Sequence, residues 1–330
     1  MRELTYLEAI REAMQQKMRE DSNVYLIGED IAEYGGAFGV TVGMLEEFGK
    51  ERIINTPISE EAIIGVATGS AVTGMRPIAE IMFSDFITIA MDQIANQAAK
   101  IRYMFGGKAK VPLVIRTAGG GGTGAAAQHS QSLEALVAHI PGLKVVMPSC
   151  PYDVKGLLVS SINDDNPVIF IEHKLLYNNK KCIQNVPRQM YEIPLGKGDV
   201  KREGSDISVA ATSYMVQKSL EAAEKLSQEK GIECEVIDIR TLRPLDIDII
   251  LDSIKKTGRL LCVEEAPIFG GFMGEVSAQV SEKGFNWLDA PVVRVAGRNC
   301  PVPYSLVLEQ EMIPGASRIE KGILNLLNKT

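Results

Sequence analysis

Two hydrophobic periods alternate along the first half of the chain. Short apolar runs such as Val111–Arg116 are typical of strands that are buried on both faces of a sheet. Longer segments lie between them, and their apolar residues recur at the spacing of an amphipathic helix. The predicted strands are Val24–Ile27, Arg52–Asn55, Pro77–Ile81, Val111–Arg116, Lys144–Met147 and Val168–Glu172. This alternation predicts a parallel sheet with right-handed crossovers and helices on both faces.

Capping signals mark the beginning of several predicted helices. Thr5 and Glu8 have the spacing of a capping box, and an apolar helix face follows them. Ser59 is predicted to cap a helix at Glu61–Thr73, and one long helix is predicted at about Ser84–Met104. Two more helices are predicted at Leu133–His139 and Pro151–Ile162.

The alternation stops between His173 and about Ser205, where prolines and glycines collect. Such a composition is typical of a linker between domains. Strands and helices then alternate again, from a strand at Ile207–Ala211 to a last helix that begins at Ala316. The sequence therefore predicts an α/β protein of two domains, each a mainly parallel sheet with helices on both faces. The predicted domains are residues 1–190 and 191–330, with a linker at about 174–205.

Composition and charge exclude several classes of function. A chain of 330 residues with 45% hydrophobic and 23% charged residues is typical of a globular protein with two cores. Its net charge of −7, without any block of Lys and Arg, argues against nucleic-acid binding. No apolar run approaches the roughly 18 residues of a membrane span, and the N-terminus lacks the apolar core of a secretory signal. The five cysteines contain no C-x-x-C pair, which favours a reducing cytoplasm over a disulfide frame or a zinc site.

The segment Thr56–Ala62 places a carboxylate where a strand gives way to a helix. Pro57 ends the strand, and Glu60 follows at the beginning of the helix. Open α/β sheets bind ligands on this side, beyond the carboxyl ends of their strands. Glu60 and Glu61 could equally be first-turn acids that complement the helix dipole, and the spacing alone favours this structural interpretation.

The run Gly119-Gly120-Gly121-Gly122-Thr123-Gly124 matches the dinucleotide fingerprint G-x-G-x-x-G. That fingerprint also requires an acidic residue about 20 residues later, at the end of the next strand, to bind the ribose. Here the next strand, Lys144–Met147, is followed by Pro148-Ser149-Cys150. NAD binding is therefore disfavoured, and the glycines more simply allow the backbone to approach another chain or a ligand closely.

His129 lies where this glycine-rich loop enters the next helix. A lone histidine is more often structural than functional. Its place beyond the end of a buried strand is nevertheless equivalent to that of Glu60 on another strand, so both side chains would face the same rim of one sheet. His139 and His173 have no such support, and the histidine spacing fits no zinc site.

Asp164-Asp165-Asn166-Pro167 lies between a helix and a strand. Asp and Asn favour turns and proline discourages further helix, so a turn is the favoured interpretation. The alternative is a set of oxygen ligands for a hard cation.

Several longer motifs occur in a fixed order along the chain. They are Ile27-Gly28-Glu29-Asp30, Thr56-Pro57-Ile58-Ser59-Glu60, Arg76-Pro77-Ile78-Ala79-Glu80, Ala127-Gln128-His129-Ser130-Gln131, Pro141-Gly142-Leu143-Lys144-Val145-Val146, Arg240-Thr241-Leu242-Arg243-Pro244-Leu245-Asp246 and Leu288-Asp289-Ala290-Pro291. With them the chain resembles, essentially from Thr5 to its C-terminus, the β subunit of the thiamin-diphosphate-dependent first component of 2-oxoacid dehydrogenase complexes. These complexes act on pyruvate, branched-chain 2-oxoacids or acetoin.

The resemblance implies a transketolase-like pyrimidine-binding domain followed by a transketolase C-terminal domain. It assigns Glu60 to the N1′ nitrogen of thiamin diphosphate, where a carboxylate makes the 4′-imine basic enough to remove the thiazolium C2 proton. It places His129 near the substrate and the reactive carbon, where it would position lipoamide or handle protons. The residues implied to pack on the pyrimidine are Ile58, Met82 and Phe86.

A potassium site is also implied by the resemblance. Its residues would be Leu113, Ser161, Ile162, Asp164 and Asn166. Leu113 and Ser161 depart from the residues of the human-type site, although backbone carbonyls could bind the ion at both positions.

The partners are implied in the same way. Related thiamin enzymes hold the magnesium diphosphate through Gly-Asp-Gly and a later Asn, and this chain contains no Gly-Asp-Gly. The resemblance therefore implies an α subunit that supplies the magnesium site in an α2β2 tetramer, and a lipoyl acyltransferase core that receives the acyl product. A non-catalytic interaction subunit, in which Glu60 only complements a helix dipole, remains the alternative.

The expected substrate is a small one, acetoin or pyruvate, with a branched-chain 2-oxoacid as the alternative. The segments 83–86, 102–108 and 125–131 resemble those of acetoin- and pyruvate-type β subunits. Phe86 stands where the branched-chain type carries a tyrosine, so its ring offers no hydroxyl beside the cofactor.

Overall fold

The structure, a computed structural model, describes residues 1–328 and divides into two units. The first unit contains residues 1–119 and 136–195. The second contains the segment Gly120–Ala135 and the chain from Gly196 onward. The glycine-rich loop thus groups with the C-terminal part of the chain. Within residues 1–328, no helix is both long and apolar enough to cross a membrane.

The first unit is built on a parallel sheet. The elements up to its end are β1 (Arg2–Leu4), α1 (Tyr6–Glu20), β2 (Val24–Glu29), α2 (Met44–Phe48), β3 (Ile53–Thr56), α3 (Glu60–Val72), β4 (Arg76–Ile81), α4 (Ala99–Met104), β5 (Val114–Gly119), α5 (Glu134–Ala138), β6 (Lys144–Val146), α6 (Pro151–Asn163), β7 (Val168–His173) and β8 (Gln184–Val186). Its strands follow the order β6-β7-β5-β4-β2-β3, and every neighbouring pair is parallel. The segments that directly follow β2, β3 and β4 therefore lie next to one another at the carboxyl edge of the sheet.

The second unit is a smaller sheet of the same kind. Its elements are β9 (Asp199–Arg202), β10 (Ile207–Ala211), α7 (Tyr214–Lys230), β11 (Cys234–Asp238), β12 (Thr241–Arg243), α8 (Ile247–Thr257), β13 (Leu260–Pro267), α9 (Met273–Gly284), β14 (Val293–Gly297), α10 (Leu306–Met312) and α11 (Ala316–Leu327). The strand order is β14-β13-β10-β11-β9, in which only β9 is antiparallel to its neighbour. The predicted fold class, two mainly parallel α/β domains, is confirmed.

Strand β10 shows why this sheet carries helices on both faces. Successive side chains of a strand point to opposite faces. Val209 belongs to a buried cluster that also includes Val216 of α7 and Ile323 of α11. The next residue back, Ser208, instead bonds through its hydroxyl to Ser253 and Thr257 of α8, at 2.5 and 2.6 Å. The polar contact satisfies hydroxyls that are fully buried.

The helix prediction at the Thr5 capping box is confirmed, whereas the prediction of one long helix after Ser84 is wrong. The Thr5–Glu8 capping box is present, with both reciprocal hydrogen bonds. Ser59 occupies the cap position of α3, but its side chain makes no capping hydrogen bond. The long helix at Ser84–Met104 is wrong: a 3₁₀ turn at Ser84–Thr88 and a π-helical stretch at Gln93–Ala98 precede α4. β-Branched residues collect at Ile87-Thr88-Ile89, and they lower helix propensity there.

The predicted linker contains more structure than its composition indicates. Strand β8 pairs antiparallel with β1, and β9 adds an antiparallel strand to the second sheet. These strands have only three and four residues, which is too short to show a hydrophobic alternation in the sequence. The predicted strand Val111–Arg116 is displaced to β5 because Pro112 has no N–H group for a ladder hydrogen bond.

Candidate functional site

The carboxyl edge of the first sheet carries Glu60 and the residues predicted to pack on a pyrimidine. Strands β4, β2 and β3 are neighbours, and their carboxyl ends meet there. Glu29 ends β2, Glu60 follows β3, and Met82 follows β4. Parallel α/β sheets bind ligands at this edge because the strand ends and the helix N-termini meet there. The expectation from the sequence placed Glu60 at this edge, and the structure places it there.

Glu60 is the first residue of α3 and is only 7% exposed. No described residue among 1–328 donates a hydrogen bond to its carboxylate or forms an ion pair with it. Its oxygens are not among the fully enclosed side-chain atoms that lack a partner in the described chain, so they remain open to solvent at this edge. Glu60 therefore presents an acceptor that is suited to a donor from outside this chain.

Glu29 is a second acid at the same edge, and sequence reasoning assigned it no role. It lies opposite Thr56 in the register of β2 and β3. Burial, followed by the nearby negative charges of Asp30 and Glu60, raises the pKa of its carboxyl above the ordinary value. Its position at the end of a strand beside that of Glu60 was the signal in the sequence that could have identified it.

The three residues predicted to pack on a pyrimidine differ in exposure. Ile58 is 76% exposed, whereas Met82 and Phe86 are half-buried. The ring of Phe86 lies edge-on to Phe83 at 6.0 Å between centroids. Phe83 in turn contacts Phe38 at 5.5 Å. An exposed isoleucine and an exposed part of an aromatic cluster give this edge an apolar surface beside the Glu60 carboxylate.

A buried ionic network lies in the middle of the same sheet. Arg116 of β5 donates to both carboxylate oxygens of Glu172, at 2.6 and 2.8 Å, and to Glu80 at 2.7 Å. Tyr177 donates to Glu172 at 2.7 Å, and its ring lies 5.2 Å from that of Phe38. Burial raises the pKa values of Glu80 and Tyr177, and the two carboxylates keep Arg116 firmly protonated, with its pKa above the ordinary value. Sequence reasoning missed this network, because its members are far apart along the chain.

His129 belongs to the segment that groups with the second unit. It follows β5, as expected, and is half-buried. Its backbone N–H is 3.4 Å from the carbonyl of Ala126, a residue with the left-handed φ of 61°. Non-glycine residues rarely adopt this conformation, and such strain often marks functional loops.

The glycine run before His129 does not offer its amides to a dinucleotide. Gly121 donates to the carboxylate of Glu265, and Gly122 and Gly124 donate to Glu309. The N–H groups that would bind a pyrophosphate are thus already bonded to carboxylates of the second unit. This arrangement agrees with the absence of a ribose-binding acid after the next strand.

A pocket of about 620 Å³ lies in the second unit beside this loop. Its lining includes Ala127, Ser130, Gln131, Glu265, Phe269 and Met312. The Ser130 hydroxyl is buried and has no hydrogen-bond partner within residues 1–328. Two nearby acids of the same unit are strongly perturbed: burial raises the pKa of Glu134 to about 8 and that of Glu264 to about 7.

The five predicted potassium residues lie around one turn of the first unit. The Asp164 carboxylate accepts from the backbone and side chain of Asn166, at 2.9 and 2.8 Å, as in the predicted turn, and it also pairs with Lys144. The carbonyl of Ile162 accepts from Arg76, that of Leu113 accepts from the backbone N–H of Val168, and Ser161 donates to Leu157. Potassium binding at these residues stays a prediction. In the described part of the chain, no three His, Cys, Asp or Glu side chains converge on a possible metal position.

Comparisons with known proteins agree with these two units. The family model described as "Transketolase, pyrimidine binding domain" matches residues 2–180, and "Transketolase, C-terminal domain" matches residues 196–319. A solved structure described as a split-gene transketolase in an inactive β4 tetramer superposes with a TM-score of 0.79, covering 98% of each chain. At 23% identity, this likeness establishes the fold only.

Curated relatives are more similar in sequence. The chain is 49% identical to the β subunit of acetoin:2,6-dichlorophenolindophenol oxidoreductase of Bacillus subtilis, covering 99% of this chain and 98% of the relative. It is 44% identical to the β subunit of the pyruvate dehydrogenase E1 component of Rickettsia felis, covering 97% of each. It is 45% identical to the β subunit of 2-oxoisovalerate dehydrogenase of Bacillus subtilis, covering 98% of each.

Proposed function

Because this chain belongs to the transketolase-like family of E1 β subunits of acetoin, pyruvate and branched-chain 2-oxoacid dehydrogenases, we propose that its carboxyl-edge residues bind and activate thiamin diphosphate. The chain is an oxidoreductase subunit that acts with an α subunit in cleaving a substrate C–C bond and transferring the acyl group to lipoamide. The observation that carries the proposal is the Glu60 carboxylate, which is buried and accepts no hydrogen bond from residues 1–328.

The chemistry of these residues fits the aminopyrimidine end of the cofactor. An aminopyrimidine offers a ring nitrogen that can be protonated and two apolar faces. Glu60 supplies a carboxylate that would hold a proton on that nitrogen, while Ile58, Met82 and Phe86 supply apolar contacts. Thiamin diphosphate, when bound, supplies the nucleophilic carbon and the electron sink of the reaction.

Glu29 would support Glu60 in this role. The raised pKa of Glu29 keeps its carboxyl closer to neutrality beside the Glu60 carboxylate. In this proposal Glu29 can carry a proton beside the Glu60 carboxylate.

The partners follow from the family. We expect the α subunit to supply the magnesium and diphosphate contacts in an α2β2 tetramer, since this chain has no Gly-Asp-Gly. A lipoyl acyltransferase core would then accept the acyl group. His129 would act at the acyl-transfer step, and its location in the loop after β5 is compatible with that role.

We propose that the substrate is acetoin or pyruvate rather than a branched-chain 2-oxoacid. The support is the phenyl ring of Phe86, which offers no hydroxyl, and, for acetoin, 49% identity to an acetoin-type β subunit against 44% to a pyruvate-type and 45% to a branched-chain one. One methylene changes binding by only about 1–3 kcal/mol, so some activity on 2-oxobutyrate is expected.

The test is the kcat/KM of the enzyme reconstituted with its α subunit on acetoin, pyruvate and 3-methyl-2-oxobutanoate. Acetoin or pyruvate should be preferred by about tenfold or more over the branched substrate. A preference for 3-methyl-2-oxobutanoate would refute the substrate assignment. Absence of thiamin-dependent turnover on all three would refute the proposed function.

A further inference from the structure

The loop between β5 and α5 repeats one unusual backbone conformation at every second residue. Gly120, Gly122, Gly124 and Ala126 have φ angles of 79, 90, 68 and 61°. Alternation of left-handed residues with ordinary ones turns successive N–H groups toward one side of the chain. Such a concave row of N–H groups is a nest, a backbone arrangement that binds anions.

Two carboxylates of the second unit occupy this nest. Glu309 accepts from Gly122 at 2.8 Å through one oxygen and from Gly124 at 2.9 Å through the other. Glu265 accepts from Gly121 at 2.5 Å. Glu309 is 1% exposed and Glu265 is 8% exposed, so these charge-assisted bonds lie away from water.

The two acids come from separate elements that are both well fixed. Glu265 lies in β13 between Val263 and Pro267, which both pair with β14, although the register shifts between them. Glu309 lies in the middle of α10, where its N–H bonds to the carbonyl of Ser305 at 2.8 Å and its carbonyl accepts from Ile313 at 3.0 Å. The carboxylates are therefore presented by rigid backbone.

Glycine allows the loop to approach these acids closely. A Cβ atom on Gly121 would lie 2.6 Å from the Ile313 side chain and 3.1 Å from a Glu309 oxygen. A Cβ atom on Gly124 would lie 3.2 Å from Leu306. The loop thus lies close to α10 and to Ile313, the residue that follows it.

The same loop carries His129, and two backbone hydrogen bonds within the loop connect that segment to the nest. The N–H of His129 points to Ala126, the last residue of the alternation, at 3.4 Å. The N–H of Gly120, the first, points to the carbonyl of Gln131 at 3.4 Å, which closes the loop on itself. Fixing the nest therefore restricts the backbone of His129.

We propose that Glu309, with Glu265, is a positioning residue for His129: it acts as an internal anion that holds the glycine loop in its productive conformation. This proposal rests on the proposed function, which gives His129 its role in acyl transfer. Their effect on His129 passes through the backbone of the loop. The nest amides are satisfied by the chain itself and are not a site for an external phosphate.

The first test compares Glu309→Gln with Glu311→Gln in the enzyme reconstituted with its α subunit. Glutamine keeps the size of Glu309 but turns an NH2 group toward one of the glycine N–H groups, which breaks that bond. Glu311 lies on the same helix, is 74% exposed at its side chain and pairs only loosely with Arg298 at 3.7 Å, so it is a matched control.

Three quantities should separate positioning from general stability. In Glu309→Gln, amide hydrogen exchange of residues 119–131 should become about tenfold faster or more. The kcat should fall by about tenfold or more, while the KM for the substrate and the Kd for thiamin diphosphate stay within about twofold. Glu311→Gln should leave all of these unchanged.

A readout without turnover keeps the proposal separate from the proposed function. Diethyl pyrocarbonate modifies accessible imidazoles, and the exposed His139 in the same chain serves as the internal reference. Glu309→Gln should change the modification rate of His129 relative to His139, even if the wild-type enzyme has no thiamin-dependent activity. An unchanged His129 rate together with unchanged exchange of the loop would overturn the proposal.

Anion rescue is the second test. Glu309→Ala removes the anion and leaves a cavity beside the nest, which formate can enter. Formate, but not an equal concentration of chloride, should slow the exchange of residues 119–131 and restore part of the kcat. Fast exchange in Glu309→Gln with a normal kcat and a normal His129 rate would show that Glu309 only stabilises the loop, and would contradict a positioning role.

Discussion

Glu60 is the residue on which the account of function depends. The structural interpretation, a first-turn acid that complements the dipole of α3, explains its place in the helix. It does not explain a carboxylate that is 7% exposed and accepts no hydrogen bond within residues 1–328. Glu61, the next residue, is exposed and would complement the dipole just as well. The two adjacent acids therefore allow the functional and structural interpretations to be compared directly.

We expect Glu60→Gln to lower turnover of the reconstituted enzyme by about 10²–10⁴-fold, the usual range for a positioned acid–base group. Glutamine cannot hold the proton on the pyrimidine nitrogen as a carboxylate does, so exchange of the cofactor C2 proton should slow in parallel. Glu61→Gln is the control and should change neither rate appreciably. Equal effects of the two substitutions would show that Glu60 only complements the helix dipole.

His129→Ala should impair acyl transfer and leave cofactor binding nearly intact. The proposed role of His129 is at the reacting carbon, remote from the diphosphate, so its loss should lower kcat by about 10²-fold while the Kd for thiamin diphosphate changes little. His139→Ala, at an exposed position, is the control. A large loss of cofactor affinity with a normal kcat would contradict this placement.

At the scale of the elements, the sequence predicted what local signals determine. Capping at Thr5, the apolar run of β7 and the beginning of α6 at Pro151 are each encoded within a few residues. The irregular coil after β4, the short strand β8 and helix α10 are stabilised by contacts with distant parts of the chain, and no local period indicates them. The motif that contains Glu60 is contiguous in the sequence, so it could be recognised there. The contact between Glu309 and the glycine loop joins distant segments, so it could not.

The ionic network across β4, β5 and β7 should be critical for stability. Arg116→Met would leave the Glu80 and Glu172 carboxylates buried without their cation, and removing one partner of such a pair costs about 3–5 kcal/mol. Urea denaturation should detect this loss in the free energy of unfolding. Arg19→Met, which breaks an exposed pair with Glu47, should cost no more than about 1 kcal/mol. Similar small losses for both would mean that the buried network contributes little.

At the scale of the whole molecule, the two-domain α/β organisation follows from the alternation of strands and helices in both halves. The grouping of Gly120–Ala135 with the second unit does not follow from it. That grouping depends on contacts such as those of Gly122 and Gly124 with Glu309, which are far apart in the sequence. The candidate site was predictable where one motif carries it, as at Glu60, and unpredictable where neighbours in space supply it, as at Glu29.

The second unit should lose stability as the pH rises. Burial raises the pKa of Glu134 to about 8 and that of Glu264 to about 7, so the folded chain retains protons that the unfolded chain releases near its ordinary carboxyl pKa of 4.5. Each retained proton lowers the free energy of unfolding by about 1.4 kcal/mol per pH unit between the two pKa values. Glu134→Gln should therefore reduce the decrease in the free energy of unfolding between about pH 5 and pH 8, as measured by denaturation at several pH values. An unchanged slope would show that Glu134 titrates normally.

Binding of thiamin diphosphate tests the central claim most directly. The account holds that this chain supplies the pyrimidine side of a site whose diphosphate side belongs to an α subunit. Isothermal titration with magnesium and thiamin diphosphate should therefore detect tight binding to the reconstituted heterotetramer and none at micromolar concentrations to this chain alone. Micromolar binding by the isolated chain, or no binding by the heterotetramer, would contradict it.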